Sequence, residues 1–168
     1  SDDDKDLEGK DYRWRHVITV YDSEGNVKEA WPQWDQLFKP DNANVLSQGG
    51  VHKRLISPYD PEKRTWAIDD GHQVILIFSN DGKKLLQTIG TLNTTTERNA
   101  QMTGNTGKPS MTKKTGPANT TFGRQTDIAW LPDGTFFVSD GYEETRVVKF
   151  DKDGKFLMAW GERGENGK

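Results

Sequence analysis

Three times along the chain an aromatic residue is followed, four positions later, by a glycine closing an acidic turn between runs of alternating apolar residues. The copies run from Val17 to Val27, from Ile75 to Lys83 and from Val147 to Lys155, with Tyr21, Phe78 and Phe150 at the aromatic position. Trp31 and Trp160 stand six residues beyond the glycine, and Ile89 seven beyond it in the middle copy. Alternation with period two sends successive side chains to opposite faces of a strand. The Asp-Gly or Glu-Gly step supplies the positive-φ residue that a tight turn needs. Each copy therefore reads as a β-hairpin. A lone hairpin cannot bury its apolar face, so a chain that repeats this unit must stack its copies on one another.

Two further strand-like runs precede the second and third copies. For the second they are His52 to Ser57 and Arg64 to Asp69, joined across Pro58-Tyr59-Asp60-Pro61; for the third, Thr126 to Leu131 and Thr135 to Asp140, joined across Pro132-Asp133-Gly134. Four short strands with turn signals about 8–12 residues apart are the signature of a β-propeller blade. No long stretch has helical period, so no substantial helix is expected. The expected class is all-β: a two-to-three-blade piece of a propeller, since whole propellers carry roughly 4–8 blades. Self-assembly of partial propellers into a closed ring is the alternative. The expected organisation is a frayed acidic tail at 1–10, a partial blade at 11–45 and a blade at 46–90. A Thr/Asn/Gly-rich inter-blade loop follows at 91–121, then a blade at 122–162 and the start of a next connection at 163–168.

Composition narrows the function classes. A net charge of −3 with mixed signs lacks the electrostatic footprint of a nucleic-acid binder, so no nucleic-acid partner is expected. The absence of cysteine excludes disulfides, zinc-thiolate sites and thiol nucleophiles. No apolar run approaches the roughly 20 residues of a membrane-spanning helix. Phosphate loops, nucleophile elbows, His-Glu-x-x-His helices and EF-type calcium loops are also missing. Asp151-Lys152-Asp153-Gly154 has the flavour of a calcium loop but lacks the downstream Glu, and reads as a hairpin turn.

Gln125-Thr126-Asp127-Ile128-Ala129, the Val138-Ser139-Asp140-Gly141-Tyr142 step, Arg146 and the closing Lys155-Phe156 with Trp160-Gly161 together resemble the peptidyl-α-hydroxyglycine α-amidating lyases and the related NHL-repeat proteins of bacteria. Val51-His52, with Trp66-Ala67-Ile68-Asp69 and His72-Gln73-Val74, resembles the blade before it. The resemblance covers residues 15 to 90 and 122 to 162. It implies a six-bladed NHL propeller around a central metal, zinc first and calcium second. It further implies cleavage of a peptidyl-α-hydroxyglycine to an amide and glyoxylate. A His from the innermost strand of several blades would hold the metal, and a Tyr would act near the substrate. Residue by residue, His52 takes the place of a metal ligand and Tyr142 that of the catalytic Tyr. The family carries its His in a Pro-His-Gly step, where this chain has Val51-His52-Lys53, and the context of Arg13 and Arg15 does not match the family's essential Arg. The piece alone is expected to be inactive, with the remaining blades of the propeller as its partners. The alternative is a non-enzymatic exported propeller that binds a small molecule, peptide or protein at its channel mouth. An extracellular or periplasmic location is favoured.

Other residues read as structure. Asp140 and Arg146 match a pair that recurs in NHL blades as a structural brace, so the resemblance implies a bidentate ion pair across the hairpin. Asp69 fills the same place one blade earlier, where Val74 replaces the Arg. His72 is expected at the surface or in a turn bond. Trp31 and Trp160 are expected between blades, and Trp66 and Trp130 in the core.

Overall fold

The computed structural model describes residues 16–38, 51–91, 122–142 and 144–161. The acidic tail, positions 92–121 of the long loop and the connection at 163–168 lie outside the described residues. Within them run ten strands: β1 (Thr19–Tyr21), β2 (Val27–Ala30), β3 (Val51–Ile56), β4 (Thr65–Asp69), β5 (Val74–Phe78), β6 (Leu85–Gly90), β7 (Gln125–Trp130), β8 (Phe136–Asp140), β9 (Arg146–Phe150) and β10 (Phe156–Trp160). They form a β1-β2 hairpin and two four-stranded antiparallel sheets, β3-β4-β5-β6 and β7-β8-β9-β10, each in simple sequential order. The four runs anticipated ahead of the second and third copies are met to within a residue at their ends, while β1 begins two residues after the Val17 start of the first copy. Among the described residues no helix is long and apolar enough to cross a membrane.

The repeated turn is closed the same way each time. The N–H groups of Gly25, Gly82 and Gly154 donate to the carbonyls of Asp22, Ser79 and Asp151 at 3.1, 2.9 and 3.1 Å. The first sheet lies between the hairpin and the second sheet, which is why β4 and β5 are buried along their whole length. On one face, Ala67, Val74, Leu76 and Phe78 meet Ile18, Trp31 and Phe38. On the other, Trp66, Ile68, Ile75, Ile77 and Ile89 meet Ile128, Phe136, Val138, Val148 and Phe150.

Sequence periodicity did not announce the 3-10 helix Pro32–Phe38 that follows the hairpin. Its Asp35 carboxylate accepts the N–H groups of His16 (2.9 Å) and Val17 (3.1 Å), and its Trp34 ring lies 5.3 Å from Phe78. Trp31 is buried as anticipated, whereas Trp160 is not: it is 45 % exposed and rests edge-on against Phe137. The two tryptophans hold matching positions in their hairpins, but among the described residues a following sheet packs over Trp31 and none packs over Trp160.

The β3–β4 turn is held by Asp60, buried, whose carboxylate accepts the N–H groups of Glu62 (3.0 Å) and Arg64 (3.1 Å) and the Arg64 Nε (2.8 Å). Burial alone would raise this carboxyl; the Arg64 guanidinium and the two backbone donors outweigh it and hold it below the usual range. A folded-state pKa below the unfolded one gives stability that is present above the unfolded value and lost as pH falls through the folded one. Asp60→Asn is therefore expected to cost roughly 1–3 kcal/mol in urea melts at about pH 7. The gap to wild type should shrink in melts at about pH 3.

Candidate functional site

The site residues singled out from the sequence lie at one edge of the two sheets, where β3 and β7 begin and where β4 and β8 end. His52 is the second residue of β3, and Tyr142 lies two positions beyond the end of β8. Far apart in sequence, they meet here across the seam between the sheets, ring centroids 6.2 Å apart and planes at 88°. Both side chains are exposed. The structure thus brings together the two site residues that the sequence singled out.

Sequence reasoning missed the third member. Arg124, just ahead of β7, lays its guanidinium over the other part of this cluster, with Cζ 4.8 Å from the Tyr142 ring centroid. The guanidinium is fixed from the opposite sheet, because its Nε and Nη2 both donate to Asp70 Oδ2, at 2.8 and 2.6 Å. Arg124 has a φ of +67°, a left-handed conformation that costs a non-glycine residue about 1–3 kcal/mol and persists only where the surroundings hold it. The available signal was positional: Asp70 directly follows the strand-ending Asp69, and Arg124 directly precedes the Gln125-Thr126-Asp127 run. Only the packing of one sheet on the other pairs them.

Several further contacts join or brace the strands at this edge. The Gln125 side-chain amide reaches from β7 across the seam to donate to the carbonyls of Asp69 (3.1 Å) and Val74 (2.7 Å). Lys53 Nζ bridges to Asp127 Oδ2 at 2.7 Å, which sets β3 and β7 side by side. Partial burial works to raise the Asp127 carboxyl, but the Lys53 ammonium, the Ile128 N–H and the neighbouring His52 keep it below the usual range. Asp140 is buried and accepts Gly123 N–H at 2.7 Å, Arg146 Nε at 3.0 Å and Arg146 Nη2 at 2.9 Å, the brace expected from the sequence. Its burial pushes the carboxyl up, against the pull of Arg146.

His72 makes the turn bond that was one of its two expected places, and it is buried there instead of lying at the surface, with Nδ1 2.7 Å from Asp69 Oδ2 and its backbone N–H 2.9 Å from Asp69 Oδ1. Asp69 is completely buried, which raises its carboxyl, while the His72 bonds act to lower it. Where the later sheet braces its Asp with an Arg from the next strand, the earlier one uses a His from the turn. The turn folds His72 inward because a buried carboxylate without a donor would be costly.

Chemically, the edge presents a phenol, an imidazole and an anchored guanidinium to solvent. That set can hydrogen-bond a ligand's carbonyl, hydroxyl or carboxylate, and the phenol and imidazole can also pass a proton. Among the described residues no three His, Asp or Glu side chains converge as a metal donor set.

No family model matches the chain. It is 33 % identical over 111 residues to the peptidyl-alpha-hydroxyglycine alpha-amidating lyase 1 of Drosophila melanogaster, a stretch covering 64 % of this chain and 16 % of that protein. With the peptidylglycine alpha-amidating monooxygenase of Rattus norvegicus it shares 46 % identity over 131 residues, which is 75 % of this chain and 11 % of the relative. A shorter match, 48 % over 42 residues, joins it to the peptidyl-glycine alpha-amidating monooxygenase B of Xenopus laevis, covering 24 % of this chain and 5 % of that one. The chain spans at most 16 % of the length of these three relatives. Over those stretches, an all-β chain with a phenol, an imidazole and a guanidinium gathered at one sheet edge is similar to the peptidylglycine amidating enzymes.

Proposed function

We propose that the chain is part of an NHL-type β-propeller whose intact form is an amidating-lyase-like enzyme, breaking a peptidyl-α-hydroxyglycine into a peptide amide and glyoxylate. The observation that carries the reading is the meeting of His52 and Tyr142 across the seam. The sequential four-strand sheets, and the bridge that sets β3 beside β7, support reading these first strands as the inner strands of adjacent blades.

In this reading Tyr142 is the proton-handling residue. The substrate is a carbinolamide: its hydroxyl loses a proton as the C–N bond breaks, and the departing amide nitrogen gains one. Tyr142, exposed and beside the Arg124 guanidinium, is placed to handle the hydroxyl proton. Arg124 holds the ring through its anchor on Asp70. Zinc, the metal proposed, takes three or four protein ligands. The described residues do not fit that requirement by themselves, since His52 supplies one ligand and no further donors converge on it. The other ligands would have to come from further blades.

The test is glyoxylate release by the full-length protein, together with its zinc content by elemental analysis. Release with near-stoichiometric zinc is expected, the zinc being lost in His52→Ala. Tyr142→Phe is expected to keep the zinc and lower kcat by roughly 10²-fold or more. Absence of bound metal in both wild type and His52→Ala would remove His52 from the site. A folded protein that releases no glyoxylate would leave the ligand-binding propeller as the better account.

A further inference from the structure

The contacts that hold Arg124 use less than half of what its side chain can donate. A guanidinium carries five N–H donors in one plane. Asp70 Oδ2 accepts from Nε at 2.8 Å and from Nη2 at 2.6 Å, which occupies one side of that plane. Among the described residues the guanidinium makes no other hydrogen bond, so both donors of Nη1 and the second donor of Nη2 are left over. One donor from each nitrogen forms the end-on fork, two parallel N–H groups spaced to meet the two oxygens of a carboxylate. The side chain is 22 % exposed, so it is partly open to solvent.

The fork is held in place before any ligand arrives. Its anchor Asp70 belongs to the other sheet, and the Tyr142 ring lies against the guanidinium, 4.8 Å from Cζ. A donor pair fixed in advance spares a ligand the cost of ordering a long side chain. The buried carboxylates of this edge do not need it, since Asp69 has His72 and Asp140 has Arg146 and the Gly123 N–H.

We infer that Arg124 is a specificity residue of the site, its end-on fork holding the carboxylate of a 2-hydroxy or 2-oxo acid beside Tyr142. For the identity of that acid the inference rests on the lyase reading. In a peptidyl-α-hydroxyglycine the carbon that bears the hydroxyl is bonded directly to the carboxylate carbon. Seating the carboxylate on the fork therefore brings the hydroxyl to the phenol, and glyoxylate keeps the same carboxylate after the C–N bond breaks. A ligand with an amide in that place is selected against. Its NH2 turns donors toward a donor, and one N–H of the fork is left without an acceptor.

Calorimetry of glyoxylate and of its amide with the full-length protein tests this without any turnover. Wild type is expected to bind the acid at least about 10-fold more tightly than the amide. Arg124→Lys keeps a cation for Asp70 but has no planar fork. It should retain the wild-type circular dichroism spectrum, bind the acid roughly 10- to 100-fold more weakly and leave binding of the amide unchanged. With the peptidyl-α-hydroxyglycine as substrate, the same variant should raise KM by a similar factor and change kcat far less. A wild type that binds the acid no better than the amide overturns the inference, and so does a folded Arg124→Lys that binds the acid like wild type. The lyase reading fails separately. A protein that binds glyoxylate through Arg124 yet releases none from the substrate keeps the fork and loses the reaction. One that releases glyoxylate with KM unchanged in Arg124→Lys keeps the reaction and loses the fork.

Discussion

Asp140→Ala is expected to lower stability by roughly 3–5 kcal/mol, the cost of removing one partner from a buried ion pair. The substitution takes from Arg146 the carboxylate that its Nε and Nη2 address, and from Gly123 N–H its acceptor, at a position with no solvent to replace them. The exposed Lys53–Asp127 pair is the internal comparison. Its geometry is as close, at 2.7 Å, but both side chains are about half in water, so Lys53→Ala should change stability by less than about 1 kcal/mol. Urea denaturation of the two variants beside wild type decides the matter. Equal losses would mean that burial does not set the worth of these pairs.

A loss of similar size is expected from Trp66→Ala, roughly 3–5 kcal/mol for a large buried aromatic. Trp66 is the ring through which the two sheets meet, edge-on to Trp130 at 5.3 Å and to Phe136 at 4.9 Å. Because it stands at the seam rather than inside one sheet, the shape of the unfolding curve carries as much information as its midpoint. If the seam makes the sheets cooperative, wild type melts in one transition by tryptophan fluorescence and by circular dichroism alike. In the variant the two signals should separate. Coincident transitions in both proteins would place the cooperativity elsewhere, in the hairpin face around Phe78.

What the sequence made legible was local. The turn glycines and the strands lie within a few residues of one another, so period and spacing suffice to find them; the Asp140–Arg146 brace is as local, but it was read from the resemblance to NHL blades. The meeting of His52 and Tyr142 is not local: resemblance singled out each residue by itself, and no spacing rule pairs them. Arg124 on Asp70 and Gln125 on the Asp69 and Val74 carbonyls are cross-sheet contacts, fixed by how one sheet registers against its neighbour. Nothing in an alternating pattern encodes that register. Trp160 makes the same point from the other side: its pattern is that of Trp31, but burial belongs to whatever packs over a strand and not to the strand.

The Tyr142 ring touches an imidazole from one sheet and a guanidinium from its own, and that guanidinium is tethered back to the first sheet through Asp70. Such a site cannot be copied by copying a unit. Duplicating either sheet would reproduce the scaffold with half a constellation, and chemistry would have to be reinvented at each new seam. An architecture that multiplies readily would then keep this gathering of side chains singular.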